Sequence, residues 1–126
     1  TAMTRDELEH YCLALPGVQL DLKWRGMRVF SVAGNRMFAM IDPYRDSLSF
    51  KVEHASFLAH TDRPGIRPAP YLARAHWISM AASQPPLADS ELRALLLAAH
   101  QLVVRRLPRY RQVSLLLEQG SGEQRL

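Results

Sequence analysis

Arginines and aromatic rings are the side chains grouped closely enough in this chain to do chemistry. Arg63, Arg67 and Arg74 fall in one irregular stretch, with Tyr71 among them and His76 and Trp77 just beyond. A guanidinium can hold a phosphate through paired N–H donors while neighbouring rings stack on bases. Trp77 also has a claim on the core, which is where tryptophan more often lies. Arg105, Arg106, Arg109 and Arg111 crowd a second stretch. The same charges are what a helix C-terminus attracts through its dipole, so a phosphate-contacting role and a structural one both stand there.

Other chemistries find less support. His54 and His60 are six apart, and His10, His76 and His100 belong to separate elements. None has the i, i+4 helical spacing or the cysteine pair of a zinc site, so no metal is expected. Ser47, Ser49 and Ser79 alternate with apolar residues as sheet-surface residues do, and no G-x-S-x-G elbow is present. The glycines form neither a dinucleotide fingerprint nor a phosphate-binding loop of the Walker type. The lone Cys12 lies on an apolar helical stripe without a basic neighbour, the setting of a buried structural thiol. No catalytic residue and no cofactor are therefore nominated, and the expectation is a protein that is not an enzyme.

The totals fit that picture. With 126 residues, 48% of them hydrophobic and 22% charged, the chain has the make-up of one ordinary globular domain. Sixteen basic against twelve acidic residues leave a net charge of +4, which mildly favours an anionic partner. No apolar run approaches the roughly 20 residues that span a bilayer, so no membrane partner is expected. One cysteine excludes an intrachain disulfide, and with no leader-like segment the expected location is cytoplasmic.

The elements that must position these residues can be read from the pattern. Thr4 and Glu7 have the form of a capping box, ahead of a helical stripe of Leu8, Tyr11, Cys12 and Leu15 that Pro16-Gly17 ends. Val18, Leu20, Leu22 and Trp24 alternate with polar residues as a first strand. Residues 28–33, 36–42 and 47–53 follow as a meander with Gly, Asn, Pro and Asp in the gaps, and in the last run Leu48, Phe50 and Val52 share one face. A short helix over 54–60 docks through Phe57 and Leu58. The loop 61–70, stiffened by three prolines, allows no central strand, and one helical turn at 71–74 closes it. Residues 75–80 form a final strand. The longest helix starts with Leu87 as a staple and Asp89 as N-cap, and carries Leu92, Leu95, Leu96, Ala99, Val103 and Leu107 down one side until Pro108. A further turn or two runs from Arg109 to Glu118. The domain is expected over 3–118, with 119–126 as a flexible tail.

Leu15-Pro-Gly-Val18, Trp24 with Gly26, and Phe30-x-Val32-x-Gly34-x-Arg36-x-Phe38 resemble the opening of the MmcQ/YjbR-like family. Leu48-Ser-Phe-Lys51, then Ile66-x-Pro68-Ala69-Pro70-Tyr71-Leu72 and Trp77-Ile78, are similar to its following stretches in the same order. The resemblance implies a frataxin-like (CyaY-like) α+β fold, with the helices on one face of a single antiparallel sheet of about five strands. It also implies DNA binding through a "double wing" arrangement. Two departures are visible: Arg36 stands where the family usually has lysine, and Ala99-His100 where it usually has Ser-Tyr. Iron binding of the frataxin kind would want an acidic ridge. The first helix offers only Asp6, Glu7 and Glu9, two of them accounted for by capping and the helix dipole.

The leading expectation is thus a non-enzymatic DNA-binding protein that contacts backbone phosphate through Arg36, Lys51, Arg63, Arg67, Arg74, Arg105, Arg106, Arg109 and Arg111. A competing expectation comes from strand parity. It places Met37, Ala39 and Ile41 opposite Phe38 and Met40, so both faces of that strand are apolar. The outer face, with Met37, Ile41, Lys51, Tyr71 and Trp77, would then take a small molecule or a protein partner. A monomer or weak homodimer fits either case.

Overall fold

The computed structural model describes residues 3–116. Helix α1 spans Arg5–Leu13 and opens with the expected box: Thr4 Oγ1 accepts from the Glu7 amide at 3.2 Å, and the Thr4 amide donates to Glu7 Oε1 at 2.8 Å. Strands β1 (Gln19–Lys23), β2 (Met27–Val32), β3 (Arg36–Asp42) and β4 (Ser47–Lys51) form an antiparallel meander. A 3-10 turn at His54–Ser56 leads into the short α2 (Phe57–Thr61). β5 is the two-residue Arg67–Pro68, followed by a 3-10 turn at Ala73–Ala75, β6 (Trp77–Ala81), α3 (Asp89–Val104) and α4 (Arg109–Gln112). The sheet order is β1-β2-β3-β4-β6-β5. Among the described residues no helix is long and apolar enough to cross a membrane.

The α+β fold with one antiparallel sheet is as anticipated, with six strands in place of about five. The additional strand lies inside the proline loop. Arg67 and Pro68 pair with Ser79 and Ile78 at the sheet edge, where a residue lacking an N–H is tolerated.

The core lies between the sheet and the helices. Phe30, Ala39, Ile41, Leu48, Phe50, Ile78 and Met80 point from the strands toward Leu8 and Cys12 of α1 and Leu92, Leu96, Ala99 and Val103 of α3. Tyr11 and Leu95 pack against this core half-buried. Arg28 and Glu9 close the edge by an ion pair of 2.6 Å between α1 and β2.

Several local expectations are corrected. Asp89 is the first residue of α3 rather than its cap, which is Ala88, and its carboxylate takes Arg93 one turn on. Leu58 stays exposed and Phe57 alone docks α2. Trp24 leaves the strand pattern: it and Arg25 have left-handed φ of 48° and 67°, which turns the chain into β2 and puts the indole outside. Residues 117–118 and the tail 119–126 lie outside the described residues.

Parity fails on β3. Phe30 faces Ala39 but Ser31 faces Met37, so Phe38 is an extra residue in the ladder. Phe38 and Ala39 therefore both reach the helix side, and Ile41 follows them there, fully buried. Ile41 is not part of an outer surface. Met40 takes that place, beside Met37.

Candidate functional site

The helix-free face of the sheet is only partly covered. The loop after β5 folds back over it and seals Val29, Met40, Ala69 and Trp77 into a second small cluster, with Met27, Met37, Leu72 and Ala75 at its margin. Beside this cluster the face opens into a cleft of about 960 Å³. Its floor runs from Met27, Met37 and Met40 on β2 and β3 to Ser47 and Ser49 on β4. Three chain turns supply the walls: Trp24 and Arg25 between β1 and β2, Asp42, Tyr44 and Arg45 between β3 and β4, and Arg67, Pro70, Tyr71 and Leu72 around β5.

Each wall is held by local chemistry. Asp42 Oδ1 accepts from the amides of Tyr44 and Arg45 at 3.0 and 3.2 Å, while Oδ2 takes the Arg45 guanidinium at 3.3 Å. Its carboxylate is thus occupied by its own turn. The Tyr44 ring lies over Gly26, where a β-carbon would come within 3.2 Å of it; the φ of +98° there also suits only glycine well. Ser47 and Ser49 both bond to the Ser79 hydroxyl, at 2.9 and 3.2 Å. Trp24, Arg25 and Tyr71 all have left-handed φ, a strained state for bulky residues that tends to gather at ligand sites.

The arrangement suits an anion with an apolar body. Methionine side chains adapt their shape to whatever lies on them. The arginines at the rim offer planar pairs of donors, and Trp24, Tyr44 and Tyr71 are 61%, 80% and fully exposed. None of the five histidines lines the cleft.

The arginines expected to act together are spread over the molecule. Arg63 turns to the helix side, where Nη1 and Nη2 bind Glu91 of α3 at 2.5 and 3.0 Å. That bond raises the Arg63 pKa and holds the Glu91 carboxyl below its ordinary value. Arg67 enters the cleft, and Arg74 is exposed on the turn after it. Arg36 is exposed where β3 begins. Arg105, Arg106, Arg109 and Arg111 are exposed at and beyond the end of α3. Lys51 is on the outer face opposite Trp77, outside the cleft, its ammonium donating to the Ala75 carbonyl at 2.7 Å. Burial, and then the charge of Arg106, lower its pKa. Of the outer-face residues expected, Met37 and Tyr71 line the cleft, while Trp77 is buried under the loop beside it.

Sequence reasoning missed Trp24, Arg25, Tyr44 and Arg45. A usable signal was present: each pair is an aromatic residue followed by arginine in a turn of the meander, and the two turns fall at the same end of the sheet.

Two further side chains have structural work. Cys12 is 1% exposed, and burial, then Glu9, push its thiol pKa up to about 12, far from a thiolate nucleophile. His100, at the departure from the Ser-Tyr pattern, is fully buried: Nε2 donates to the Pro16 carbonyl at 2.8 Å, Nδ1 accepts from Gln101 Nε2 at 2.8 Å, and the ring meets Phe38 edge-on. Among the described residues no group of three or more His, Cys, Asp or Glu could hold a metal ion.

Comparison with known proteins agrees with this architecture. A Deinococcus radiodurans protein with the DUF419 domain is 26% identical, superposes with a TM-score of 0.76, and the match covers 94% of each chain. A Pseudomonas syringae protein shares the fold at a TM-score of 0.68 and 22% identity, over 80% of this chain and 99% of that one. No curated protein matches the chain at a significant level. The YjbR family model matches residues 13–102, from the end of α1 to the last turns of α3. The chain belongs to the YjbR family.

Proposed function

We propose that this YjbR-family protein is a non-enzymatic binding module that takes a small anionic ligand with an apolar or aromatic body in the outer-face cleft. One observation carries the reading: an open cleft of about 960 Å³ sets a methionine floor beneath Arg25, Arg45 and Arg67. Desolvating a flat apolar body on that floor would drive binding, and the rim arginines would fix its charged end.

An anionic naphthalene sulfonate dye is a suitable probe, with Trp24 fluorescence as reporter, since Trp77 is buried. Saturable one-to-one binding is expected. Arg67→Ala should weaken it by about tenfold or more, the worth of one charge-assisted bond, and Met37→Glu should weaken it further by charging the floor. Absence of binding, or equal binding by both variants, would overturn the reading.

A second reading, DNA binding, is supported by a different observation. Arg105, Arg106, Arg109 and Arg111 are exposed at one end of the molecule and take no part in the ion pairs among the described residues. Contacts there would be to backbone phosphate, with an affinity whose log–log salt slope is about −0.9 per phosphate neutralised. A salt titration with short duplex and single-stranded DNA tests it. Retention of DNA by the Arg67→Ala variant, with loss on changing the four arginines together, supports this second surface. No retention at about 50 mM salt and tens of micromolar protein removes it.

A further inference from the structure

A second group of cationic side chains lies outside the cleft, at the end of β4 marked by Lys51. The rings of His54 and His76 stack there, with centroids 4.3 Å apart and planes inclined by 14°. Phe57 of α2 meets the His76 ring edge-on at 5.6 Å. His76 is in the left-handed region, φ 64°, which carries its ring out of β6 toward the 3-10 turn that holds His54. Backbone fixes the arrangement: the Val52 amide donates to the His76 carbonyl at 2.9 Å, and Lys51 Nζ donates to the Ala75 carbonyl at 2.7 Å. Arg106, just beyond α3, is near enough for its charge to act on both Lys51 and His76.

Three separate segments thus bring two imidazoles and an ammonium together, with the Arg106 charge in reach of them. No carboxylate answers them: among the described residues none of the four takes part in an ion pair, and Glu53, next to His54 in the chain, makes none with them. His60, the other imidazole of this region, acts on Glu91 instead. A positive charge on the His76 ring is disfavoured beside these cations. Accordingly His76 titrates below its ordinary value, through burial first and then through His54, Lys51 and Arg106. A dianion placed among them would reverse that balance, and the His76 ring would take up a proton on binding.

We propose that Lys51, His54, His76 and Arg106 form an oxyanion site for a phosphate group, borne by inorganic phosphate or by a phosphate monoester. The four line no part of the outer-face cleft, so the site stands independently of the ligand proposed for that face. The ring N–H groups of the imidazoles, the ammonium and the guanidinium can together supply donors to several phosphate oxygens.

Calorimetry and proton NMR of the His76 ring on the full chain test this, with inorganic phosphate, adenosine monophosphate and sulfate as probes. Sulfate remains a dianion across the range, so its pH dependence reports the histidines alone. Its affinity should rise by about tenfold between pH 8 and pH 5.5, the linkage expected for about one unit of change in one bound proton, and the His76 midpoint should move up on its addition. Arg106→Gln, at an exposed position, and His76→Asn, which keeps a side chain that accepts left-handed φ, should each weaken binding by about tenfold. Equal affinity for inorganic phosphate and the monophosphate identifies the free ion as sufficient, and tighter monophosphate binding identifies the ester. Unmoved His76 resonances, pH-independent sulfate affinity, or unchanged binding by folded Arg106→Gln would overturn the proposal.

Discussion

The two faces of the sheet are built from the same strands and finished by different means. On the helix side, Phe30, Phe38, Ile41, Leu48, Phe50, Ile78 and Met80 are fully buried against α1 and α3. On the other side only Val29, Met40, Ala69 and Trp77 are closed over, by a loop, and the floor between Met27 and Ser49 stays open. The residue types follow this division. Branched and aromatic side chains, with Met80 among them, fill the face whose partner is its own chain and whose packing is fixed. Methionine and serine floor the face left unfilled, where an adaptable lining costs little. A face that a chain covers itself specifies the fold, and a face it leaves open is free for recognition.

Truncation should separate the faces most sharply. Leu96→Ala removes a fully buried side chain between α3 and the sheet and should cost about 2–5 kcal/mol in chemical denaturation. Met37→Ala, on the half-buried outer margin, should cost about 1 kcal/mol or less. Equal costs would mean that the outer face is as much core as the inner one, and the comparison would fail.

His100 is next in size. Replacing it by Ala leaves the part-buried Pro16 carbonyl without its donor, worth about 1 kcal/mol on top of the lost packing. Burial lowers its pKa below the ordinary 6.5, partly offset by the bond to Pro16. The unfolded chain therefore binds the proton more readily than the folded one. This contribution to stability is fully present above about pH 6.5 and declines as the pH falls through that value. Denaturation midpoints between pH 8 and 5 should show the decline in the parent chain and a weaker one in His100→Ala. Identical profiles would assign the acid sensitivity elsewhere.

These inner-face features were largely legible in the chain. The capping box, the α3 stripe and the alternation of Leu48, Phe50 and Val52 each arise from contacts three or four residues apart or from a strand period of two. Such signals survive without knowledge of the fold. The cleft was not legible in the same way. Met37, Phe38, Ala39, Met40 and Ile41 are all apolar, so nothing in their types reveals that Phe38 is an extra residue and that Ile41 turns inward. The walls come from residues 24–25, 42–45 and 67–72, which only the assembled sheet brings together. Arg63 and Arg67 are four apart in sequence yet serve opposite sides of the sheet, a separation fixed by where β5 pairs.

The rim of the open face can be probed at Gly26. Its φ of +98° and the Tyr44 ring within 3.2 Å of an added β-carbon make Gly26→Ala strained, by about 1–3 kcal/mol. Tyr44 is exposed and can swing aside, so the variant should fold. It should also bind the dye more weakly, because the wall that Tyr44 forms is displaced. A loss of stability with unchanged dye affinity would detach Tyr44 from the site and shrink the cleft to its methionine floor and the β5 side.

The smallest effect belongs to Arg63, and it decides to which face this arginine should be assigned. Its pair with Glu91 has good two-point geometry, but both side chains are about two-fifths exposed, at 39% and 40%. Solvent screens such a pair, and the net value of exposed ion pairs is about 0–1 kcal/mol. Arg63→Ala should therefore change stability by less than about 1 kcal/mol and leave dye binding untouched, since Arg63 is not in the cleft lining. If the chain binds DNA, the outcome there is equally definite. Contacting a phosphate would require Arg63 to give up Glu91, leaving a carboxylate near the nucleic acid, so the salt slope should be the same in Arg63→Ala as in the parent. A slope flatter by about one unit would instead count Arg63 as a phosphate contact. The helix side of the sheet would then be a binding surface as well, and the division of labour between the two faces would not hold.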